Sequence, residues 1–252
     1  MTSDPERVLQ SLDLTSLGDN DTESTVDDLC RRALDDAGGR VAAVCVWPGL
    51  VSRAAHYLDR TGLRIAGVAN FPDGGTDAVP ALKDIEVILE SGGDEVDVVL
   101  PYTEFLYGER KVVVDFLKYC RRACHGGTVL KVILETGVLE DAEMIADASR
   151  LALGEGADFI KTSTGKAAVS ATLPAAEIML HAIRDAGHGG FKAAGGIRDV
   201  PTAMTYFSLA DEILGDGWAT PNHFRIGASG LLDDILRRQS GSASETSQIA
   251  GY

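Results

Sequence analysis

The chain reads as a single (β/α)8 barrel, and three observations carry that reading. Short β-branched runs alternate with longer amphipathic stretches, eight such pairs can be counted, and 252 residues is the length that eight strand–helix units require. An open doubly wound sheet is the competing arrangement. No GxGxxG follows the first strand, however, and eight units are more than such a sheet usually uses.

The elements follow in order. A short N-terminal helix precedes the first strand, 11–16, which leads to a helix over 25–37 with Thr25 and Asp28 as a loose capping pair and Gly38 as its stop. Strand 42–47 feeds a helix over 51–59 closed by Gly62, and strand 65–71 a helix over 81–89 closed by Gly92. Strand 95–100 is followed by a helix over 111–123 that stops at Gly126, and strand 129–135 by a helix over 141–153. Strand 158–163 precedes a helix over 175–186, with Pro174 in the first turn and Gly187 past the last. Strands 191–194 and 224–228 precede helices over 201–214, opened by Pro201, and 231–237. No Pro- or Ser-rich linker breaks residues 1–238, so these form one catalytic domain, while QSGSASETSQIAGY (239–252) is too poor in apolar residues to hold itself in place and reads as a flexible tail.

Composition narrows the function. With 45% hydrophobic and 24% charged residues this is an ordinary globular chain, and no apolar run approaches the roughly 18 residues of a membrane helix. The start MTSDPERVLQ has no basic stretch ahead of an apolar run, so a cytoplasmic protein is expected. Thirty-eight acidic against 23 basic residues give a net charge of −15, which repels nucleic acid. Cys30, Cys45, Cys120 and Cys124 show no CxxC spacing, and His56, His125, His181, His188 and His223 show no ligand spacing, so neither a metal nor a disulfide framework is expected. Only seven of the 23 basic residues are lysines, and Lys161, Lys166 and Lys192 lie close together beside glycines.

Catalytic groups in such barrels sit at the C-terminal ends of the strands, which singles out charges inside strand runs. Asp97 stands in EVDVVLP, Lys131 in VLKVILE, Lys161 in FIKTSTG and Lys192 in GFKAAGG. Buried charges must pair or shift their pKa. For Asp97 and Lys131 alone a structural ion pair is as good a reading as a functional one. Lys161 and Lys192, on consecutive strands at similar depth, should instead depress each other's pKa and so supply the neutral amine that Schiff-base chemistry needs. TSTGK, AAGGIR and FRIGASG place Gly165, Gly195, Gly196, Gly227 and Ser229 at the mouth of strands six to eight, with Lys166 and Arg198 as counter-charges. Backbone amides there suit a small phosphate ester. Cys45 reads as a small buried hydrophobe in preference to a reactive thiol, and Glu135 as a support for the lysines or a loop cap.

The segments LDLT (12–15), DEVDVVLPY (94–102), KVILETG (131–137), DFIKTSTGK (158–166), GFKAAGGIR (190–198) and FRIGAS (224–229), with a C-terminal Tyr252, resemble deoxyribose-phosphate aldolase of the bacterial type. The resemblance runs from about Leu12 to the last residue. It implies a class I aldolase without metal or cofactor, interconverting 2-deoxy-D-ribose 5-phosphate with D-glyceraldehyde 3-phosphate and acetaldehyde, and a homodimer as the possible assembly. It assigns the Schiff base to Lys161, the pKa perturbation to Lys192 and proton transfer to Asp97. Asp13 and Lys166 would lie near the substrate hydroxyls and phosphate, and Tyr252 would assist proton exchange at the acetaldehyde-derived carbon. Two positions depart from the pattern: Ala193 where proline is frequent, and Gly230 where a second serine is frequent. A related Schiff-base aldolase or transaldolase, a phosphosugar isomerase and a catalytically silent sugar-phosphate binding protein are the alternatives; the last has no use for Lys161, Lys192 and Asp97 together.

Overall fold

The computed structural model describes the backbone of residues 3–249 and the side chains of residues 3–241. Eight parallel strands close into a barrel in simple sequential order: β1 (Leu12–Thr15), β2 (Ala43–Val46), β3 (Arg64–Ala69), β4 (Glu95–Val99), β5 (Val129–Ile133), β6 (Phe159–Lys161), β7 (Gly190–Ala194) and β8 (Phe224–Ala228). Asp13 of β1 pairs with Ala43 of β2 on one side and Gly227 of β8 on the other, which completes the ring. The register that matters most sets Asp97 beside Lys131, Lys161 beside Lys192, and Lys192 beside Arg225. Neighbouring residues in register share a face, so these side chains all point into the barrel.

The helices are α1 (Asp4–Gln10), α2 (Glu23–Arg31), α3 (Val51–Tyr57), α4 (Ala78–Glu90), α5 (Tyr102–Leu106), α6 (Arg110–Ala123), α7 (Thr136–Leu139), α8 (Ala142–Gly154), α9 (Leu173–Ala186), α10 (Val200–Leu214) and α11 (Leu231–Ile249). Three differ from expectation for local reasons. Helix α2 begins before Thr25 because the cap is Thr22: its Oγ1 accepts the Thr25 N–H at 3.4 Å while Thr25 Oγ1 accepts the Thr22 N–H at 3.2 Å. Helix α4 begins at Ala78 because the Asp77 carboxylate accepts the Val79 N–H at 2.9 Å, which leaves Pro80 in the first turn. Helix α11, expected to stop at 237 before a tail, continues to Ile249. Its first turns are anchored by the fully buried Leu231, Leu232 and Ile235. Helices α5 and α7 are single turns in the loops after β4 and β5, too short to leave a periodic signature. Tyr252 lies outside the described residues. No helix among those described is long and apolar enough to cross a membrane.

The outward faces of the strands and the inward faces of the helices form one large apolar layer, in which the Phe191, Phe207 and Phe224 rings pack on one another. The barrel interior is different. Its apolar part includes Cys45, Ala66 and Val68, with Leu17, Trp47 and Phe71 packed on them and the Trp47 and Phe71 rings edge to face at 5.4 Å, together with Val99, Ile133 and Phe159 in register with the charged residues. The rest carries charge, with Asp13, Glu95, Asp97, Lys131 and Lys192 showing no exposed surface and Lys161 and Arg225 almost none. Barrel interiors are ordinarily filled by branched apolar residues. Each ion here costs several kcal/mol of desolvation, so the way these seven groups satisfy one another defines the site.

Candidate active site

Asp97 is the hub. Its Oδ1 accepts from Lys131 Nζ at 2.7 Å, and its Oδ2 accepts from both Lys161 Nζ at 2.9 Å and Lys192 Nζ at 2.7 Å. Lys192 has a second carboxylate, Asp13 Oδ2 at 2.5 Å. Asp13 Oδ1 accepts from Arg225 at 2.7 Å, Arg225 also donates to Glu95 at 3.0 Å, and Glu95 Oε2 lies 2.6 Å from Lys131. The structural pairing of Asp97 with Lys131 and the functional pairing of Asp97 with the two other lysines therefore coexist on one carboxylate.

Charge arithmetic decides which group yields. Lys131, Lys161, Lys192 and Arg225 face three carboxylates, Asp13, Glu95 and Asp97, so the fully ionised cluster is one cation over parity. Lys161 is the weakest holder of its proton: burial disfavours its charge, Lys192 repels it, and its single carboxylate is shared, so its pKa falls below the ordinary 10.5. Lys192 goes the other way. Burial opposes its charge, but Asp13 and Asp97 outweigh burial and raise its pKa, so the expected mutual depression holds for Lys161 and not for Lys192. Asp97 is desolvated too, yet three ammonium groups hold it well below the usual carboxylate range. Burial pushes the Cys45 thiol up, so it stays a thiol and packs as the small hydrophobe expected.

A pH dependence follows. The folded-state pKa of Lys161 lies below that of an unfolded lysine, so the unfolded chain binds more protons, and the group's penalty to folding is relieved as pH rises from the depressed value towards 10.5. The reactive amine appears over the same interval. Labelling of Lys161 by acetaldehyde and borohydride should therefore rise with pH through a midpoint below 10.5 and then level; a midpoint at 10.5 or above refutes the depressed amine.

Above this floor lies a mouth of about 620 Å3, lined by Lys161 at its base and by Thr164, Gly165, Lys166, Gly195, Gly196, Arg198, Gly227 and Ser229 at its rim. Strand ends β6, β7 and β8 thus converge as the glycine pattern predicts. Gly195 has φ +87°, and a Cβ there would stand 2.4 Å from Ser170, so no other residue fits. Gly227 serves a purpose beyond the rim: a Cβ on it would meet Lys192 Cε at 3.0 Å, so its absence makes room for the lysine stem. Lys166 Nζ is held by Asp19 Oδ1 at 3.0 Å, across the mouth from the loop after β1.

Asp13 is not at the rim. It is completely buried, takes no part in the mouth lining, and reaches the site through Lys192, Arg225 and, at 3.8 Å, Lys131, because residue 13 points inward one layer below Thr15. Glu135 touches no lysine. Its Oε2 accepts the Thr164 N–H at 3.2 Å and bonds Thr164 Oγ1 at 2.5 Å, and Thr164 Oγ1 in turn accepts the Lys166 N–H at 3.0 Å, so it fixes the loop after β6. Glu95 and Arg225 were missed by sequence reasoning although the signal was present: each is a charge two positions, or one register step, from a residue already singled out in the same kind of run.

A (β/α)8 barrel that holds a buried lysine amine of lowered pKa beneath a glycine-rimmed mouth is the frame of an enzyme working through carbonyl chemistry. The comparisons agree with that class. The chain belongs to the DeoC/LacD family of aldolases, whose model matches residues 7–232. It is 48% identical over 236 residues to deoxyribose-phosphate aldolase of Agrobacterium fabrum, covering 92% of this chain and 90% of that one. A deoxyribose phosphate aldolase from Aeropyrum pernix, described as a tetramer, superposes with TM-score 0.76 at 25% identity over 94% of this chain and 92% of the other. Triosephosphate isomerase of Bartonella henselae, at TM-score 0.54 and 17% identity over 90% and 96% of the two chains, shares the barrel alone.

Proposed function

We propose that this enzyme is a class I aldolase interconverting 2-deoxy-D-ribose 5-phosphate with D-glyceraldehyde 3-phosphate and acetaldehyde. The observation that carries the reading is Lys161: a buried amine of lowered pKa at the base of the mouth, bonded to a carboxylate that Lys192 shares. The neutral amine adds to the C1 aldehyde, and loss of water gives an iminium. Breaking C2–C3 sends its electron pair into that iminium, while the C3 hydroxyl gives up its proton and becomes the aldehyde of glyceraldehyde 3-phosphate. The enamine left on Lys161 is protonated at C2, and hydrolysis of the new iminium releases acetaldehyde and restores the amine. Lys192 helps to lower the Lys161 pKa, and Asp97 Oδ2, common to both, carries protons between them.

Gly165, Gly195, Gly196 and Ser229, with Arg198 and Lys166, hold the phosphate, which orients the reacting carbons from a distance. Arg198→Ala should raise KM for the phosphorylated sugar about tenfold or more with kcat little changed. Turnover of the unphosphorylated sugar, measured alongside, should not respond. Borohydride reduction with acetaldehyde, followed by peptide mapping, tests the mechanism itself: an N-ethyl group on Lys161 is the expected product, and labelling confined to surface lysines would overturn the assignment.

A further inference from the structure

The opposite end of the barrel holds a second cavity, of about 520 Å3, where the strands begin. Arg64 of β3, Arg121 of α6 and Arg225 of β8 line it together with the loop histidines His188 and His223, against a single lining carboxylate, Asp158. In a chain of 23 basic and 38 acidic residues that inversion is local and specific. Two of the three guanidinium groups are committed: Arg121 donates to Asp158 and to the carbonyls of Cys124, Gly156 and Thr128, and Arg225 donates to Asp13, Glu95 and the Pro221 carbonyl. Arg64 is not. Its one carboxylate partner, Glu95 at 3.2 Å, is already shared by Arg225 and Lys131, and about half of its side chain faces the cavity opening. Arg64 is thus the guanidinium of the three with the fewest partners among the described residues. The His223 ring is held flat against Trp218, with centroids 5.5 Å apart, and His188 is exposed at the rim.

We propose that this cavity is a second anion site, built for a phosphate dianion, free or carried on a small ester. A compact, multiply charged anion can face Arg64 on one wall and the Arg225 edge and the two imidazoles on the others, and charge-assisted bonds from guanidinium to phosphate are the strong kind. The Phe159 ring, with Arg225 above it at 5.5 Å, forms part of the cavity wall. The cavity shares no lining residue with the catalytic mouth at the other end of the barrel.

Calorimetric titration of the full chain with inorganic phosphate, and separately with glycerol 3-phosphate, tests it. One binding event should survive Arg198→Ala at the mouth yet weaken at least tenfold in Arg64→Gln and in His188→Glu. The second variant changes only an exposed rim position, so it decides the matter if loss of Arg64 disturbs the fold around Glu95. Similar affinity for both probes identifies free phosphate as the ligand, and tighter binding of the ester identifies a phosphate monoester; either supports the site. The proposal is overturned if no binding event responds to the two changes at this end, whatever happens at the mouth.

Discussion

Lys161→Met is expected to abolish turnover while leaving the fold as stable as before, or more so. Removing the nucleophile removes the covalent route, and kcat/KM should fall by about 10⁴-fold or more. The stability half of the expectation is the more discriminating. Lys161 has one carboxylate contact, the Asp97 oxygen it shares with Lys192, and it supplies the charge that takes the cluster past parity. Methionine has similar length and no charge to desolvate, and Asp97 keeps two ammonium partners without it. Losing one member of a buried pair is costly when it leaves its partner uncompensated, but here Asp97 still faces Lys131 and Lys192, so no buried carboxylate is left unpaired. Initial rates and thermal unfolding on one preparation check both halves, and a Tm lowered by more than a few degrees would make Lys161 a structural partner.

Lys192→Met should show the reverse signature. Asp13 would lose its 2.5 Å partner and Asp97 one of three, with Arg225 and the more distant Lys131 left to support Asp13. Breaking a buried pair from one side costs about 3–5 kcal/mol, which in a chain of this size lowers Tm by roughly 6–20 °C. Turnover should also be lost, for a separate reason: without the neighbouring positive charge the Lys161 pKa rises, so imine trapping moves to higher pH. Because pairing alone accounts for the loss of stability, the pH midpoint is the decisive reading. A destabilised variant with an unmoved midpoint would confine Lys192 to a structural part.

The barrel was legible from the sequence because its signals are local: β-branched runs, helical spacing and terminal glycines recur eight times. The pairing of Lys161 with Lys192 was legible for the same reason, since consecutive strands at equal depth are adjacent. What was not legible depends on partners distant in the chain. The direction of the Lys192 shift is set by Asp13, 179 residues away, and no pattern around GFK reveals it. Asp13 was expected near the substrate hydroxyls and phosphate, but its contacts are with Lys192 and Arg225, residues 179 and 212 positions away in the chain. The start of α2 turned on whether Thr22 or Thr25 caps, and the reciprocal bonds between them make Thr22 the cap.

The shared Asp97 carboxylate also bears on what the enzyme does between events. Once Lys161 becomes an iminium, a permanent positive charge stands where the neutral amine stood, and the interior again holds one cation too many. Proton loss to the enamine, or hydrolysis back to the free amine, restores balance. On the proposed assignment, the same ion pairs that prepare the nucleophile disfavour the charged adduct, so an unproductive aldehyde captured on Lys161 is expected to be released by hydrolysis.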